Sequence, residues 1–241
     1  MLFFSPDTKR PTTPSPSPTT TTTATDVTPT PDKPKMIADV VFVMDSSSNV
    51  PFYDFKTEKD FVKDLAKSLN VSPGNSSAAV VTYGSRAAEV IGFDIRRSVS
   101  DFETAVDNSP YINGRRRIDR SLGKVVKIMT NARPTATKLV VLLTADKQLS
   151  EFGSTTPARA ARPLWEKGVN IFIIAIGRRN ILELRELLPV NIFRVAIYND
   201  LKLQTATIGQ MIEEKSSKKN NSNPYIPSSG LSLSSLPLRR F

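Results

Sequence analysis

Residues 36–50 read MIADVVFVMDSSSNV, an apolar run that ends abruptly in an acid, three serines and an asparagine. Such a run is typical of a strand that is covered on both faces, as central strands of α/β sheets are. The polar residues then fall at the carboxyl end of that strand, where open α/β sheets bind their ligands. Asp45, Ser47 and Asn49 occupy alternate positions, so their oxygens can converge in one loop. Oxygen ligands alone suit Mg²⁺, Ca²⁺ or Mn²⁺.

Beyond this strand, apolar runs alternate with stretches that carry apolar residues at helical spacing. The apolar runs predict further strands at 78–83, 87–93, 138–143, 169–176 and 191–197. The helical spacing predicts helices at 51–69, 100–108, within 113–131, and at 157–167, 181–188 and 201–214. Ser100, with Glu103 three residues later, fits a capping box at the start of one of these helices.

The order of these elements predicts the fold class. The run at 87–93 follows 78–83 too closely for a helical crossover, so it must pair with it as an antiparallel hairpin at one edge of the sheet. After residue 93 strands and helices alternate, which is typical of parallel strands joined by right-handed crossovers. We therefore predict an α/β fold: a doubly wound, mostly parallel six-stranded sheet with one antiparallel edge strand and helices on both faces.

Composition excludes several kinds of site. The chain has 241 residues and neither cysteine nor histidine, which excludes thiolate or imidazole metal sites, cysteine nucleophiles, Ser-His-Asp triads and disulfides within it. We also find no nucleophile–base pair and no phosphate loop, so the sequence does not predict an enzyme. The net charge of +10 favours anionic partners. No apolar run approaches the roughly 20 residues that a membrane span needs, and no targeting segment is visible.

The two ends of the chain differ from the middle in composition. Residues 11–34 contain ten Thr and seven Pro, so 1–35 is predicted to be a disordered linker or an O-glycosylated stalk. Residues 216–241 contain eight Ser without periodicity and are predicted to be a disordered tail. The folded domain is predicted to span 36–215. Asn70, Asn75 and Asn220 lie in N-glycosylation sequons.

Five segments of this domain resemble landmarks of the von Willebrand factor type A (VWA) family. They are DSSSN at 45–49, AVVTYG at 79–84, LVVLLTA at 139–145, WEKGVNIFIIAIG at 165–177 and NIFRVAIYNDL at 191–201. The resemblance covers about 36–214 and is strongest to A domains of matrix proteins such as matrilins and the collagen VI family. It implies a Rossmann-like fold and a metal-ion-dependent adhesion site (MIDAS) that opens with Asp-x-Ser-x-Ser.

The site departs from the pattern that the resemblance implies. The family's metal-site Thr falls on Arg116, and the Asp that follows the apolar strand falls on Ala145, with Asp146 one residue later. Asn49 replaces the last Ser. We therefore expect a degenerate MIDAS with no cofactor, in which Arg116 replaces the metal and pairs with Asp45. The alternative is that Asp146 takes the place of the missing acid and that Mg²⁺, Ca²⁺ or Mn²⁺ binds.

Cations gather in the loops that follow the strands. They are Arg115, Arg116 and Arg117 after an Asn-Gly turn, Lys147 after one strand, and Arg178 and Arg179 after another. Because carboxyl ends of parallel strands meet at one edge, these six predict a patch for sulfated glycans or acidic proteins. The alternative is a solvated run of charges.

These observations favour a non-enzymatic interaction or adhesion module of a secreted, extracellular matrix protein, with collagens or acidic, sulfated glycans as partners. Two alternatives stay open: a divalent-metal-dependent adhesion receptor, and an intracellular VWA domain of an ATPase-linked or RNA–protein complex. Nucleic acid is not an expected partner, because no aromatic stacking platform accompanies the basic charge. Any homo-oligomer would form through segments outside this chain.

Overall fold

A computed structural model of the chain describes residue 1 and residues 36–149, 151–178, 184 and 190–220, without the side chains of 190 and 218–220. The predicted stalk at 1–35, apart from its first residue, lies outside this part. So do most of the predicted tail at 216–241 and the predicted helix at 181–188, except for Leu184.

Strands and helices alternate along the described residues. The strands are β1 (Ala38–Asp45), β2 (Ser77–Tyr83), β3 (Ala87–Ile91), β4 (Thr137–Thr144), β5 (Asn170–Ile176) and β6 (Val190–Val195). The helices are α1 (Phe52–Ser68), α2 (Val99–Asp107), α3 (Ile118–Ile128), α4 (Pro157–Glu166) and α5 (Asp200–Asn220), with a 3₁₀ turn at Met129–Asn131. No helix in these ranges is long and apolar enough to cross a membrane.

The strands form one six-stranded sheet in the order β3-β2-β1-β4-β5-β6. Every neighbouring pair is parallel except β2 and β3, which are antiparallel. The prediction of a doubly wound, mostly parallel sheet with one antiparallel edge strand is therefore confirmed. β1 lies between β2 and β4, and all eight of its residues are buried.

Alternation along β1 divides the core into two layers. Phe42 and Met44 pack on the face that α1, α2 and α5 cover, with Phe55, Leu65 and Ile212 among their neighbours. Val41 and Val43 point to the other face, which α3 and α4 cover with Leu122, Val125 and Leu164. Because both faces of β1 are covered, the continuous apolar run is the pattern to expect for it.

Most boundaries lie within two residues of the prediction, but the cap of α2 and the end of α5 need correction. Helix α2 begins at Val99, because Ser98 has extended backbone angles and its hydroxyl accepts a hydrogen bond from the Asp101 N–H at 3.0 Å. Ser100 therefore lies inside the first turn and is not the cap. At the other end of the chain, α5 continues to Asn220, beyond the predicted end at 214.

Candidate functional site

The loops that follow the parallel strands meet at one edge of the sheet, which we call the carboxyl edge. Backbone hydrogen bonds tie the loop after β1 to the segment before α3: the Ser48 N–H donates to the Gly114 carbonyl at 2.9 Å, and the Asn113 N–H donates to the Ser46 carbonyl at 2.7 Å. The loop after β4 joins them, since the Leu149 N–H donates to the Arg116 carbonyl at 3.0 Å. The backbone around Arg116 is therefore held from two sides.

A left-handed turn aims Arg116 at β1. Asn113 and Gly114 have φ angles of 63° and 77°, a conformation that asparagine and glycine adopt most readily. Gly84 allows this turn to approach β2, because a Cβ at Gly84 would lie 2.2 Å from the Asn113 carbonyl oxygen. This close contact fixes where the segment carrying Arg116 crosses the carboxyl edge.

Arg116 and Asp45 form a fully buried ion pair. The Arg116 Nε donates to the Asp45 Oδ2 at 2.5 Å, and both side chains are 0% exposed. The other carboxylate oxygen, Oδ1, accepts a hydrogen bond from the Ser47 N–H at 3.0 Å. The pairing that the sequence predicts between Arg116 and Asp45 is therefore present. Together with the Ser47 N–H, it leaves both oxygens of this carboxylate hydrogen-bonded.

The rest of the Arg116 guanidinium is unsatisfied. Its Nη1 and Nη2 are buried and have no hydrogen-bond partner among the described residues. Burial works against the charged form, but Asp45 and then other neighbours, including Asp146, outweigh it, so the pKa of Arg116 is raised overall. Leaving buried donors unpaired costs free energy, so an acceptor that reached Nη1 and Nη2 would be bound favourably.

Glu58 of α1 lies beneath this ion pair. Its Oε2 accepts a hydrogen bond from the Asp45 N–H at 2.9 Å, and its side chain is fully buried. Burial, and next the Asp45 carboxylate, raise the pKa of Glu58 well above its usual range, which favours the uncharged form. Glu58 was not among the predicted site residues, although it stands between Phe55 and Phe61 on the apolar face of α1, a position where a charged residue is unusual.

A cleft of about 350 Å³ opens above Arg116, bounded by the loops after β1, β4, β5 and β6. Asn49, Asp54, Arg116, Arg178, Ile197 and Tyr198 are among the residues that line it. Its rim is partly apolar, since Ile197 is 56% exposed and Pro51 also lines the cleft. Phe52 and Tyr53, which follow Pro51, are 66% and 71% exposed. A cleft with a cationic floor and an apolar rim suits part of another protein.

These residues do not fit a divalent ion as they stand. The guanidinium of Arg116 already occupies one oxygen of Asp45, and a cation at that distance opposes a second cation on the same carboxylate. The Ser47 hydroxyl is buried without a partner among the described residues, but Ala145 offers no ligand. Asp146 accepts a hydrogen bond from the Lys147 N–H at 2.8 Å. Within the described ranges no three acidic side chains are grouped as metal ligands.

The predicted cationic patch needs correction. Arg115, Lys147 and Arg178 are exposed at the carboxyl edge. Arg116 is buried against Asp45. Arg117 is 2% exposed and is bound to both oxygens of Asp119 at 2.8 and 2.7 Å and also to Glu151, so neither belongs to a surface patch. The two side chains turn inward because their carboxylate partners lie there: Asp45 for Arg116, and Asp119 and Glu151 for Arg117. Arg179 lies outside the described residues.

The predicted glycosylation sites lie away from the carboxyl edge where they are described. Asn70 and Asn75 lie in the turn after α1 and are half-buried. The side-chain amide of Asn75 donates to the Ser72 hydroxyl at 3.0 Å. The side chain of Asn220 lies outside the described part. Glycosylation of all three stays a prediction.

Comparison with known proteins identifies relatives of this chain. The sequence profile of the von Willebrand factor type A domain matches residues 39–207. The mouse collagen alpha-4(VI) chain is 29% identical over 167 residues, which are 68% of this chain and 7% of that protein. Human von Willebrand factor A domain-containing protein 2 is 28% identical over 170 residues, 68% of this chain and 22% of that protein. The chain therefore spans less than a quarter of either relative.

Solved structures show the same fold. Proximal thread matrix protein 1 from the mussel byssus superimposes with a TM-score of 0.65 and 24% identity, over 73% of this chain and 46% of that one. A further structure of that mussel protein has a zinc-occupied MIDAS motif and superimposes with a TM-score of 0.65 and 20% identity, over 74% of this chain and 48% of that one.

Proposed function

Because this chain belongs to the von Willebrand factor type A domain family, we propose that residues 36–215 form a non-enzymatic interaction module of an extracellular matrix or adhesion protein. The module binds a partner protein at the carboxyl-edge cleft and needs no divalent ion to do so. Residues 1–35 serve as its Thr/Pro-rich spacer. Matrix proteins such as collagens are the proposed partners, and relatives that include a collagen VI chain and a byssal matrix protein support that choice.

One observation carries the proposal: the buried ion pair between Arg116 and Asp45. A metal in such a cleft would present a positive charge to an incoming acceptor and be anchored by Asp45. Arg116 does both, since its Nε is anchored to Asp45 while its Nη1 and Nη2 have no partner in the described part of the chain. The side chain therefore supplies the charge that an ion would otherwise bring.

The free donors suggest what the partner presents. Two parallel N–H groups of a guanidinium match the two oxygens of a carboxylate, and such bidentate pairs are among the stronger hydrogen bonds in proteins. We propose that an aspartate or glutamate of the partner enters the cleft that Arg116 lines, displaces the side chains that cover Nη1 and Nη2, and accepts from them. Apolar residues around that acid would rest on Ile197 and Pro51 at the rim.

Thermal unfolding tests the independence from metal. Residues 36–220, which include all of α5, would be melted in EDTA and then in millimolar Mg²⁺, Ca²⁺ or Mn²⁺. We expect no shift, whereas an ion present at 100 times its dissociation constant would add about 2.7 kcal/mol of stability. The Arg116→Thr/Ala145→Asp variant restores the Thr and the Asp of the family pattern, and it serves as the positive control. A shift in the unmodified domain that Asp45→Ala abolishes would instead support a metal-dependent receptor completed by Asp146.

Binding assays test the cleft itself. Immobilised collagens would be probed with the domain and with an Ile197→Asp variant, which places a charge on the apolar rim. The control is Ile37→Asp, since Ile37 is 49% exposed just before β1, at the opposite edge of the sheet. We expect Ile197→Asp alone to lose binding and EDTA to leave binding of the unmodified domain unchanged. Equal loss in both variants would argue against the cleft.

The extracellular setting is open to a separate test. The full-length protein would be expressed in a eukaryotic secretory cell line and treated with an N-glycosidase. A decrease in mass on treatment would support passage through the secretory pathway. Protein found only in the cytosol and without glycans would favour the intracellular alternative.

A further inference from the structure

Helix α3 carries a row of cations on its outward face. Arg120, Lys124 and Lys127 are spaced i, i+4 and i+7, which places them on one side of a helix. Arg120 and Lys127 are exposed and Lys124 is half-buried. At 1.5 Å per residue, the row extends about 10 Å along the helix axis. The opposite side of α3 packs Leu122 and Val125 into the core, so the row faces solvent.

Two further exposed cations stand on loops next to the start of α3. A guanidinium nitrogen of Arg120 donates to the Ser85 carbonyl at 2.5 Å, and the Ser85 N–H donates to the Asn113 carbonyl at 3.1 Å. The loops carrying Arg86 and Arg115 therefore lie against the first turn of the helix, and both side chains are exposed. We call Arg86, Arg115, Arg120, Lys124 and Lys127 the α3 basic stripe.

Few acids neutralise the α3 basic stripe. Of the five stripe residues, only Arg120 has an ion-pair partner in the described part of the chain. That partner is Glu151 at 3.4 Å, and Glu151 is also bound by Arg117. The one acid within α3 is Asp119, which is buried and bound by Arg117. A further acid, Glu89 of β3, pairs with Val81 of β2 and so lies on the same face of the sheet as α3, but it forms no ion pair with the stripe among the described residues. Cations clearly outnumber acids along this side of the domain.

We propose that the α3 basic stripe binds a linear sulfated glycan, at a site separate from the cleft. Arginine forks and lysine ammonium groups both bind sulfate oxygens, and a row of separated cations matches a row of separated anions. Gly123 lies within the row, and nothing occupies the space where its side chain would be, so a chain can approach the helix backbone there.

The composition of the α3 basic stripe argues against the other polyanions. None of the exposed large apolar side chains of the described residues belongs to α3, so the stripe offers neither an aromatic platform for bases nor an apolar face for lipid. Charge alone therefore provides the recognition, and a flexible, densely sulfated chain satisfies that without stacking or insertion.

The test uses a heparin-derived hexasaccharide as the probe, with affinity measured by titration calorimetry at several salt concentrations. We expect binding to weaken steeply as salt rises, because exposed charges are screened. We expect the Lys124→Glu/Lys127→Glu variant to lose at least tenfold in affinity. The matched control is Lys56→Glu/Lys202→Glu, which changes net charge equally through exposed lysines of α1 and α5 on the other face of the sheet. Circular dichroism would verify that both variants fold.

Three results would overturn the proposal. One is no binding of the hexasaccharide at 150 mM salt. A second is an equal loss in the α3 variant and its control, which would mean that net charge alone attracts the probe. The third is equal or tighter binding of duplex DNA or of phosphatidylserine vesicles through the same lysines. Because Ile197→Asp should leave hexasaccharide binding unchanged, this proposal and the one for the cleft can fail separately.

Discussion

Replacing Arg116 with methionine removes the cation of the buried ion pair and leaves Asp45 without its partner. At the observed separation of 2.5 Å, the attraction in the pair is about 7 kcal/mol at an effective dielectric of about 20. The desolvation of two fully buried charges offsets much of it. Breaking such a pair by removing one partner typically costs about 3–5 kcal/mol, and we expect Arg116→Met to destabilise the domain by about that amount.

A double-mutant cycle separates the pair from its surroundings. Urea unfolding would be measured for Arg116→Met, Asp45→Asn and the double variant, and we expect the double variant to lose less than the sum of the single losses, with a coupling of about 2–3 kcal/mol. Arg162 and Glu166 provide the matched control, because they form a pair at 3.0 Å with side chains 75% and 58% exposed. Arg162→Met should cost at most about 0.5 kcal/mol.

Two outcomes would contradict this prediction: additive losses in the Arg116 cycle, or a cost of Arg116→Met no larger than that of Arg162→Met. Either result would mean that the guanidinium does not pair with Asp45 in solution. The proposed substitution of an arginine for a metal would then lose the observation that carries it.

Two further predictions concern the layer beneath the cleft and the boundary of α2. Burial raises the pKa of Glu58 in the folded protein. Between the unfolded pKa and this raised folded pKa, the folded state therefore binds more protons than the unfolded state, and stability should fall as pH rises through that window. Glu58→Gln keeps an acceptor for the Asp45 N–H and should flatten this dependence in urea unfolding from pH 4 to 8, whereas an unchanged slope would assign the titration to another group. Ser98→Ala removes the cap of α2 and should lower the free energy of unfolding by about 1 kcal/mol. Ser100→Ala should lower it clearly less. A larger loss for Ser100→Ala would mean that Ser100 is the cap, as the sequence predicts.

The sheet was predictable because each strand is indicated by a pattern of neighbouring residues in the sequence. The apolar run of β1, the short gap between β2 and β3 and the alternation after residue 93 each depend on neighbouring residues. The end of α5 was not predictable in this way. Residues 215–219 read KSSKK and show no apolar period, yet the helix continues because Lys215 binds the Asn191 side chain of β6 at 2.9 Å and Ser216 is buried.

The candidate site also has features that were predictable from the sequence and features that were not. The pairing of Arg116 with Asp45 was predictable because the family pattern places both residues around one point. The inward turn of Arg117 was not, since one of its partners, Glu151, lies 34 residues away in the sequence. The α3 basic stripe was missed because its members come from α3 and two loops that only the folded chain brings together. Long-range partners thus decide which cations face solvent, and a linear sequence does not display them.

A bound ion exchanges with its surroundings, whereas the guanidinium of Arg116 is covalently part of the chain. Its occupancy is therefore complete at every concentration of calcium or magnesium, and no chelator can remove it. If the module binds its partner through Arg116 as proposed, neither a rise nor a loss of divalent ions would change its adhesion. Control over when the module engages would then come from elsewhere, such as the supply of the partner or the number of modules held together.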